Sequence, residues 1–191
     1  MSAFLSPTKG NLINLKKSLA LSKLGFELMD KKKNILIREM MPLVEVAKSI
    51  RNEIEKTFQK AYTALAKANL TLGFNISLTN SMQIENGVDL KYKNVMGIEI
   101  PKIDLKSTIK SRNYGLLNTN SNLDCAYFHF LEAKKISLIL AELENSIFLL
   151  ADEIKETKIR ANALENIVIP KIEDNIKYIK EFFRRKRAWR V

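Results

Sequence analysis

The chain has 191 residues, 46% hydrophobic and 28% charged, with only 6 glycines and 4 prolines. That balance excludes a disordered composition and suits long helices with few turns. A formal net charge of +11 points to nucleic acid, an anionic membrane face or acidic protein without choosing among them, and a lone cysteine excludes an internal disulfide framework, with a reducing compartment the simpler expectation.

No apolar run approaches the ~20 residues that a bilayer-spanning helix needs, so no direct membrane insertion is expected. The start, Met1-Ser-Ala-Phe-Leu-Ser-Pro7, has neither a charged n-region nor a long apolar stretch, so no signal peptide is expected either.

Residues 1–10 read as an irregular start, with Pro7-Thr8 as the helix entry. A long helix is then predicted from Asn11 to Asn69. One row of a seven-residue grid holds Leu12, Leu19, Phe26, Lys33, Met40, Ala47, Ile54, Ala61 and Ala68. The other holds Leu15, Ser22, Met29, Leu36, Leu43, Ile50, Thr57 and Ala64. Steps of three and four alternate over about eight heptads, which is how a helix buries a narrow seam against another helix. Such a helix is on the order of 90 Å long at 1.5 Å per residue and needs a partner of matching length. Pro42 removes one helical hydrogen bond, yet Met40, Leu43, Ala47 and Ile50 hold the grid on both sides, so the helix is expected to continue through it.

The period is lost near Leu70, and residues 71–86 fit a short helix or a loop equally. Val88, Leu90 and Tyr92 then alternate with Asp89, Lys91 and Lys93, and Ile98 and Ile100 alternate with Gly97, Glu99 and Pro101. Period two in adjacent short runs predicts a β-hairpin, with its turn near Lys93-Asn94 and its second strand stopping at Pro101. Two strands alone are marginal in water, so the hairpin should lean on the helices or on another protein. Residues 102–120 read as a polar connection, and Ser121 as the N-cap of the next helix.

A second long amphipathic run carries Ala133, Leu140, Ile147, Ile154, Ala161 and Val168 on one row. Ile136, Leu143, Leu150, Thr157 and Leu164 form the other. At Pro170 the grid shifts by a four-residue stutter and continues as Ile172, Ile176, Ile179 and Phe183. The run ends in Arg184-Arg185-Lys186-Arg187, with Trp189 and Arg190 close behind. The predicted fold is mainly α: a long antiparallel two-helix coiled coil folded back through a small middle region containing a β-hairpin. Its parts are an N-terminal coiled-coil helix (1–70), the middle region (71–121), a C-terminal coiled-coil helix (122–183) and a basic end (184–191). If Leu15 and Phe183 face each other, Lys33 falls near Glu165 or Asn162, and this polar layer would set the register.

Nothing in the chain resembles an active site. It has no Gly-rich phosphate loop. His129 is the only histidine, and Cys125, four residues before it, supplies too few ligands for a metal. Acidic pairs such as Glu142/Glu144 and Asp152/Glu153 sit beside lysines in helix-surface patterns. No catalytic residue, metal or cofactor is expected. The basic cluster could hold phosphate or anionic lipid, but a solvated helix end or a protein contact is the favoured reading.

The first helix carries Pro7-Thr8-Lys9, then Asn11-Leu-x-x-Leu15-Lys-x-x-Leu19, then Gly25-Phe-x-Leu28-Met-Asp-Lys31 and Leu36. The second carries Arg160-Ala-Asn-Ala-Leu164-Glu165-Asn-Ile-Val-Ile-Pro170 and then Ile172-Glu-x-x-Ile176-x-Tyr178-Ile179. With the hairpin run Asn94-Val-Met-Gly97, these segments resemble the D subunits of the V-type and A-type rotary ATPases (ATP synthases), the central rotor shafts. The resemblance implies a non-catalytic shaft that transmits torque between an ATP-hydrolysing or ATP-synthesising head and a membrane ring that moves protons or sodium ions. It implies as partners the A and B subunits of the head, the small F subunit of the stalk and the funnel-shaped subunit that couples to the ring, in a cytoplasmic complex peripheral to the membrane. On that reading Arg184, Arg185, Lys186 and Arg187 meet the inner wall of the head. Val88, Leu90, Tyr92, Ile98 and Ile100 support the small F subunit or the lower head. The competing expectation is a basic coiled-coil module that binds nucleic acid or an anionic membrane surface, with steep salt dependence.

Overall fold

The structure is a computed structural model that describes residues 6–73, 87–105 and 119–188. Helix α1 spans Lys9–Leu72, strands β1 and β2 span Val88–Val95 and Ile98–Leu105, and helix α2 spans Ser121–Ala163. A π turn over Leu164–Val168 leads into helix α3, Ile169–Ala188. The residues expected as a turn at 74 and 75, most of the undecided stretch 71–86, most of the polar connection after Leu105, and Trp189 and Arg190 lie outside the described residues.

Both ends of α1 are capped by residues suited to the position. The Asn11 N–H donates to Thr8 Oγ1 at 3.2 Å, which satisfies one of the free donors of the first turn. At the other end Gly73 takes a φ of +70° and donates its N–H to the Asn69 carbonyl at 2.9 Å. Glycine enters this left-handed conformation without the Cβ penalty other residues meet. Between the caps α1 runs unbroken through Pro42, which is exposed. Every residue of the two rows expected in α1 is buried or half-buried, and the same holds along the second helical run from Ala133 to Phe183.

The chain divides into two compact units. One joins Met1–Arg38 to Ala151–Val191. Here Lys23 pairs with Glu173 at 2.8 Å and Lys32 with Glu153 at 2.6 Å, so numbers rise along α1 as they fall along its partner: the helices are antiparallel. Leu36, Ala161, Ile176 and Ile179 form the buried seam. The other unit spans Glu39–Leu150. Arg51 pairs with Glu144, Tyr62 meets Phe130 edge-on with ring centroids 5.4 Å apart, and Asn120 Nδ2 donates to Thr71 Oγ1 at 3.2 Å. The order is again antiparallel. Its core is small-residued, with Ala61, Ala68, Ala126 and Ala133 all buried, and side chains this small let helix axes approach closely.

The expected stutter takes the form of the π turn. The Ile169 N–H reaches back five residues to the Leu164 carbonyl, which takes one extra residue into the helix and resets the seam. Pro170 follows directly, where the lack of an N–H suits the opening turn of α3.

Three local expectations are corrected. The hairpin turn lies at Met96-Gly97, with φ of 54° and 90°, not at Lys93-Asn94. Two successive positive φ values give the turn whose twist matches its strands, and Asn94 Oδ1 accepts the Gly97 N–H at 2.9 Å. The second strand does not stop at Pro101 but runs on to Leu105. Pro101 faces Tyr92, and counting from the turn-closing pair Val95/Ile98 this is a pair that exchanges no hydrogen bonds, so proline costs the ladder nothing. Finally, α2 is capped by Asn120 rather than Ser121: the Leu123 and Asp124 N–H groups donate to the Asn120 carbonyl at 2.9 and 3.3 Å.

Candidate partner-binding surfaces

Three groups of residues stand out from the sequence. The first is the basic end. Arg184, Arg185 and Lys186 are exposed on the last turns of α3, whereas the Arg187 side chain lies outside the described residues. The start of α1 lies alongside them. Lys9, Leu12, Ile13, Lys180, Phe183 and Arg184 are among the residues lining an open groove there, which Glu181 also borders. Cations thus surround an apolar floor made by both helices. That arrangement suits an acidic surface carrying an apolar contact.

The second group is the hairpin. Residues directly opposite each other share a face, so Leu90 and Tyr92 lie on one face with Ile103 and Pro101, and Val88 lies on that face too. Leu90 and Tyr92 are 58% and 66% exposed. Ile98 and Ile100 lie on the other face and are half-buried, so the five residues do not form one surface. Lys91 and Lys93 are exposed on that second face. Lys91 is 2.5 Å from Asp104, and this bond, with the charge behind it, raises the lysine above its ordinary pKa. The hairpin leans on a helix, as its marginal size requires: the Ile103 N–H donates to Glu142 Oε2 at 2.8 Å.

The third group is the polar layer, and here the structure places the residues differently. The Lys33 ammonium pairs with Asp30 on its own helix, and its hydrogen bond holds the Asp30 carboxyl below the ordinary value. The cross-helix pair belongs to the neighbouring Lys32, on Glu153. Leu164 instead lies across from Gly25, its Cδ1 3.9 Å from where a Gly25 Cβ would stand. Glu165 is therefore about two turns from Lys33, and Glu165 and Asn162 are both exposed.

Sequence reasoning missed Glu142 and Lys32 as contact residues. Glu142 gave no signal, because its partner is a backbone N–H 39 residues away. Lys32 sits one place off the seam, where a long side chain reaches across the helix boundary. His129 Nδ1 is 3.9 Å from Glu132 and Cys125 is exposed. Among the described residues no group of three or more His, Cys, Asp or Glu stands where it could hold a metal, and no helix is long and apolar enough to cross a membrane.

A protein-family model for the ATP synthase D subunit matches residues 11–184. The V-type ATP synthase D subunit of Thermotoga neapolitana is 38% identical over 194 residues, covering 96% of each chain. The A-type ATP synthase D subunit of Methanosphaera stadtmanae is 34% identical, covering 92% of this chain and 84% of its own. The A-type D subunit of Thermococcus kodakarensis is 34% identical, covering 96% and 92%.

Proposed function

Because the chain belongs to the family of ATP synthase D subunits, we propose that it is the central-stalk rotor shaft of a V/A-type ATPase and transmits torque between the nucleotide-handling head and the ion-translocating ring. The observation that supports this most is the seam. Within each of the two units the row residues of α1 and of its antiparallel partner are buried or half-buried. A shaft needs stiffness rather than chemistry, and two helices zipped by interlocking side chains supply stiffness. Ion pairs across the boundary, Lys23–Glu173, Lys32–Glu153 and Arg51–Glu144, tie the helices at the seam's margins.

The chain makes and breaks no bonds in this reading; ATP chemistry belongs to the head. The basic end with Arg184, Arg185 and Lys186 contacts the inner wall formed by the head's A and B subunits. The hairpin region supports the small F subunit of the stalk, and the funnel-shaped subunit links the shaft to the ring. The chain is then peripheral to the membrane on its cytoplasmic side.

The test is mechanical. A flexible Gly-Gly-Ser-Gly insert between Ala47 and Lys48 should leave ATP hydrolysis by the assembled complex measurable while abolishing ATP-driven ion transport. Transport that keeps its normal ratio to hydrolysis in that variant overturns the torque role.

A further inference from the structure

The two edges of the hairpin are unlike. In an antiparallel pair alternate residues turn their N–H and C=O groups inward to the partner strand or outward to the edge. Counting from the closing pair Val95/Ile98, the outward residues of β2 are Glu99, Pro101 and Ile103. Two of these three positions offer no free donor: Pro101 has none, and the Ile103 N–H is taken by Glu142. The outward residues of β1 are Val88, Leu90, Tyr92 and Asn94. Among the described residues no strand pairs with them; the sheet has β1 and β2 alone.

An open strand edge is a template for a further strand, and proteins ordinarily blunt such edges. Here the edge comes with side chains that select an occupant. Leu90 and Tyr92 stand exposed on one face, and Lys91 and Lys93 on the other. We propose that the outer edge of β1 accepts an extended segment of a partner protein as a third strand, one whose residues alternate apolar and acidic. The apolar set packs on Leu90 and Tyr92, and the acidic set faces Lys93, since Lys91 is already held by Asp104. A second copy of β1 is the poorer occupant in the register that sets Tyr92 opposite Tyr92, because Lys91 of each copy then faces Lys93 of the other, and like charges across a ladder repel. A third strand also completes a sheet that is marginal as a pair. This inference is independent of the torque role.

The test uses the full chain and a capped synthetic peptide alternating Val/Ile with Glu/Asp, about nine residues long, the length of a short strand. Saturating peptide should slow amide hydrogen exchange at Leu90, Tyr92 and Asn94 at least tenfold. Tyr92→Pro should abolish binding, because it removes an outward donor while leaving the inward ladder groups in place. Continued protection of the Lys91 and Lys93 amides reports that the hairpin persists in that variant. Tyr92→Ala keeps the donor and should weaken binding less. Lys93→Glu should weaken it tenfold or more, and a peptide with Lys in place of Glu/Asp should not bind. Unchanged exchange at the three edge amides overturns the proposal, as does full-strength binding by Tyr92→Pro or equal binding of the lysine peptide. Should Tyr92→Pro lose the hairpin, the wild-type exchange and Lys93→Glu decide alone.

Discussion

The side chain of Glu142 reaches the backbone of Ile103: Oε2 accepts that N–H at 2.8 Å. This bond ties the outer edge of β2 to α2, and it joins parts of the chain that share no local pattern. A hydrogen bond to a charged group contributes about 1.5–3 kcal/mol, and a two-stranded hairpin is marginal enough to feel its loss. Glu142→Ala should therefore speed amide exchange across 88–105 roughly tenfold or more, at about 1.4 kcal/mol per tenfold, without moving the exchange of α1. Glu142→Gln keeps an acceptor and should lie in between. Equal exchange in all three chains would show that the hairpin is held by other contacts.

Thr157 is a defect in an otherwise satisfied seam. It is 1% exposed, and its hydroxyl has no hydrogen-bond partner. The comparable buried hydroxyls behave differently: Thr57 donates to the Glu53 carbonyl at 2.9 Å and Ser146 to the Glu142 carbonyl at 2.7 Å. A buried hydroxyl without a partner costs about 1–3 kcal/mol, and valine has nearly the same shape. Thr157→Val should raise stability by about 1 kcal/mol, visible as a higher thermal midpoint. Thr57→Val loses a made bond and should raise it less or lower it. A lower midpoint for Thr157→Val would mean that the hydroxyl is satisfied in solution.

The stability of the unit that holds both ends of the chain should fall in acid for a stated reason. Lys23 donates to Glu173 at 2.8 Å, and that bond, followed by the lysine charge, holds the Glu173 carboxyl below its ordinary value of 4.5. Lys33 does the same to Asp30 from its ordinary 3.8. A carboxyl depressed in the folded state adds stability above its unfolded pKa and loses it as pH falls through the folded pKa. The thermal midpoint should thus drop on going from about pH 5 to about pH 3, and the drop should be shallower in Lys23→Gln and in high salt. Both carboxylates are solvent-facing, so the effect is small. An identical pH profile in Lys23→Gln would remove this pair from the explanation.

How much of this was legible in the residues differs by level. The seam was plain, because a seven-residue repeat states which side chains turn inward: Leu36, Ala61, Ala68, Ala133 and Leu150 were all on the rows and are all buried. The shift of the seam near Pro170 was legible as the step from Val168 to Ile172 to Ile176, but not that a π turn over Leu164–Val168 accommodates it. Register was not legible. Sliding one helix by a heptad again sets apolar rows against apolar rows, so the seam alone does not choose. The choice rests on off-seam reach such as Lys32 to Glu153 and on the packing of Leu164 across from Gly25. The hairpin turn was misplaced because methionine at positive φ carries no sequence signal, while Asn94, which looked like the turn itself, supports it from the strand end. At the basic end the cations were visible, but not the apolar floor of Leu12, Ile13 and Phe183 that α1 and α3 build together.

That floor makes the basic end more than a charged tail, and charge and packing there can be separated. Replacing Arg184, Arg185 and Lys186 together with glutamate leaves the apolar floor in place but cancels the groove's positive field, because Lys9, Lys177 and Lys180 then stand against Glu181 and the introduced carboxylates. On the proposed function, association with a head complex lacking this subunit should weaken at least tenfold, roughly 1.4 kcal/mol, chiefly through a slower on-rate, and its salt dependence should flatten or invert. Phe183→Ala instead removes half-buried apolar surface, and its loss should appear as faster dissociation with the salt dependence unchanged. Lys48→Glu, an exposed charge in the middle of α1, is the control and should change neither rate by more than about twofold, as expected of a surface substitution away from the contact. Binding of the triple variant at full strength, with an unaltered salt slope, would mean that the head does not grip this end through its cations, and the groove's apolar floor would then carry the contact alone.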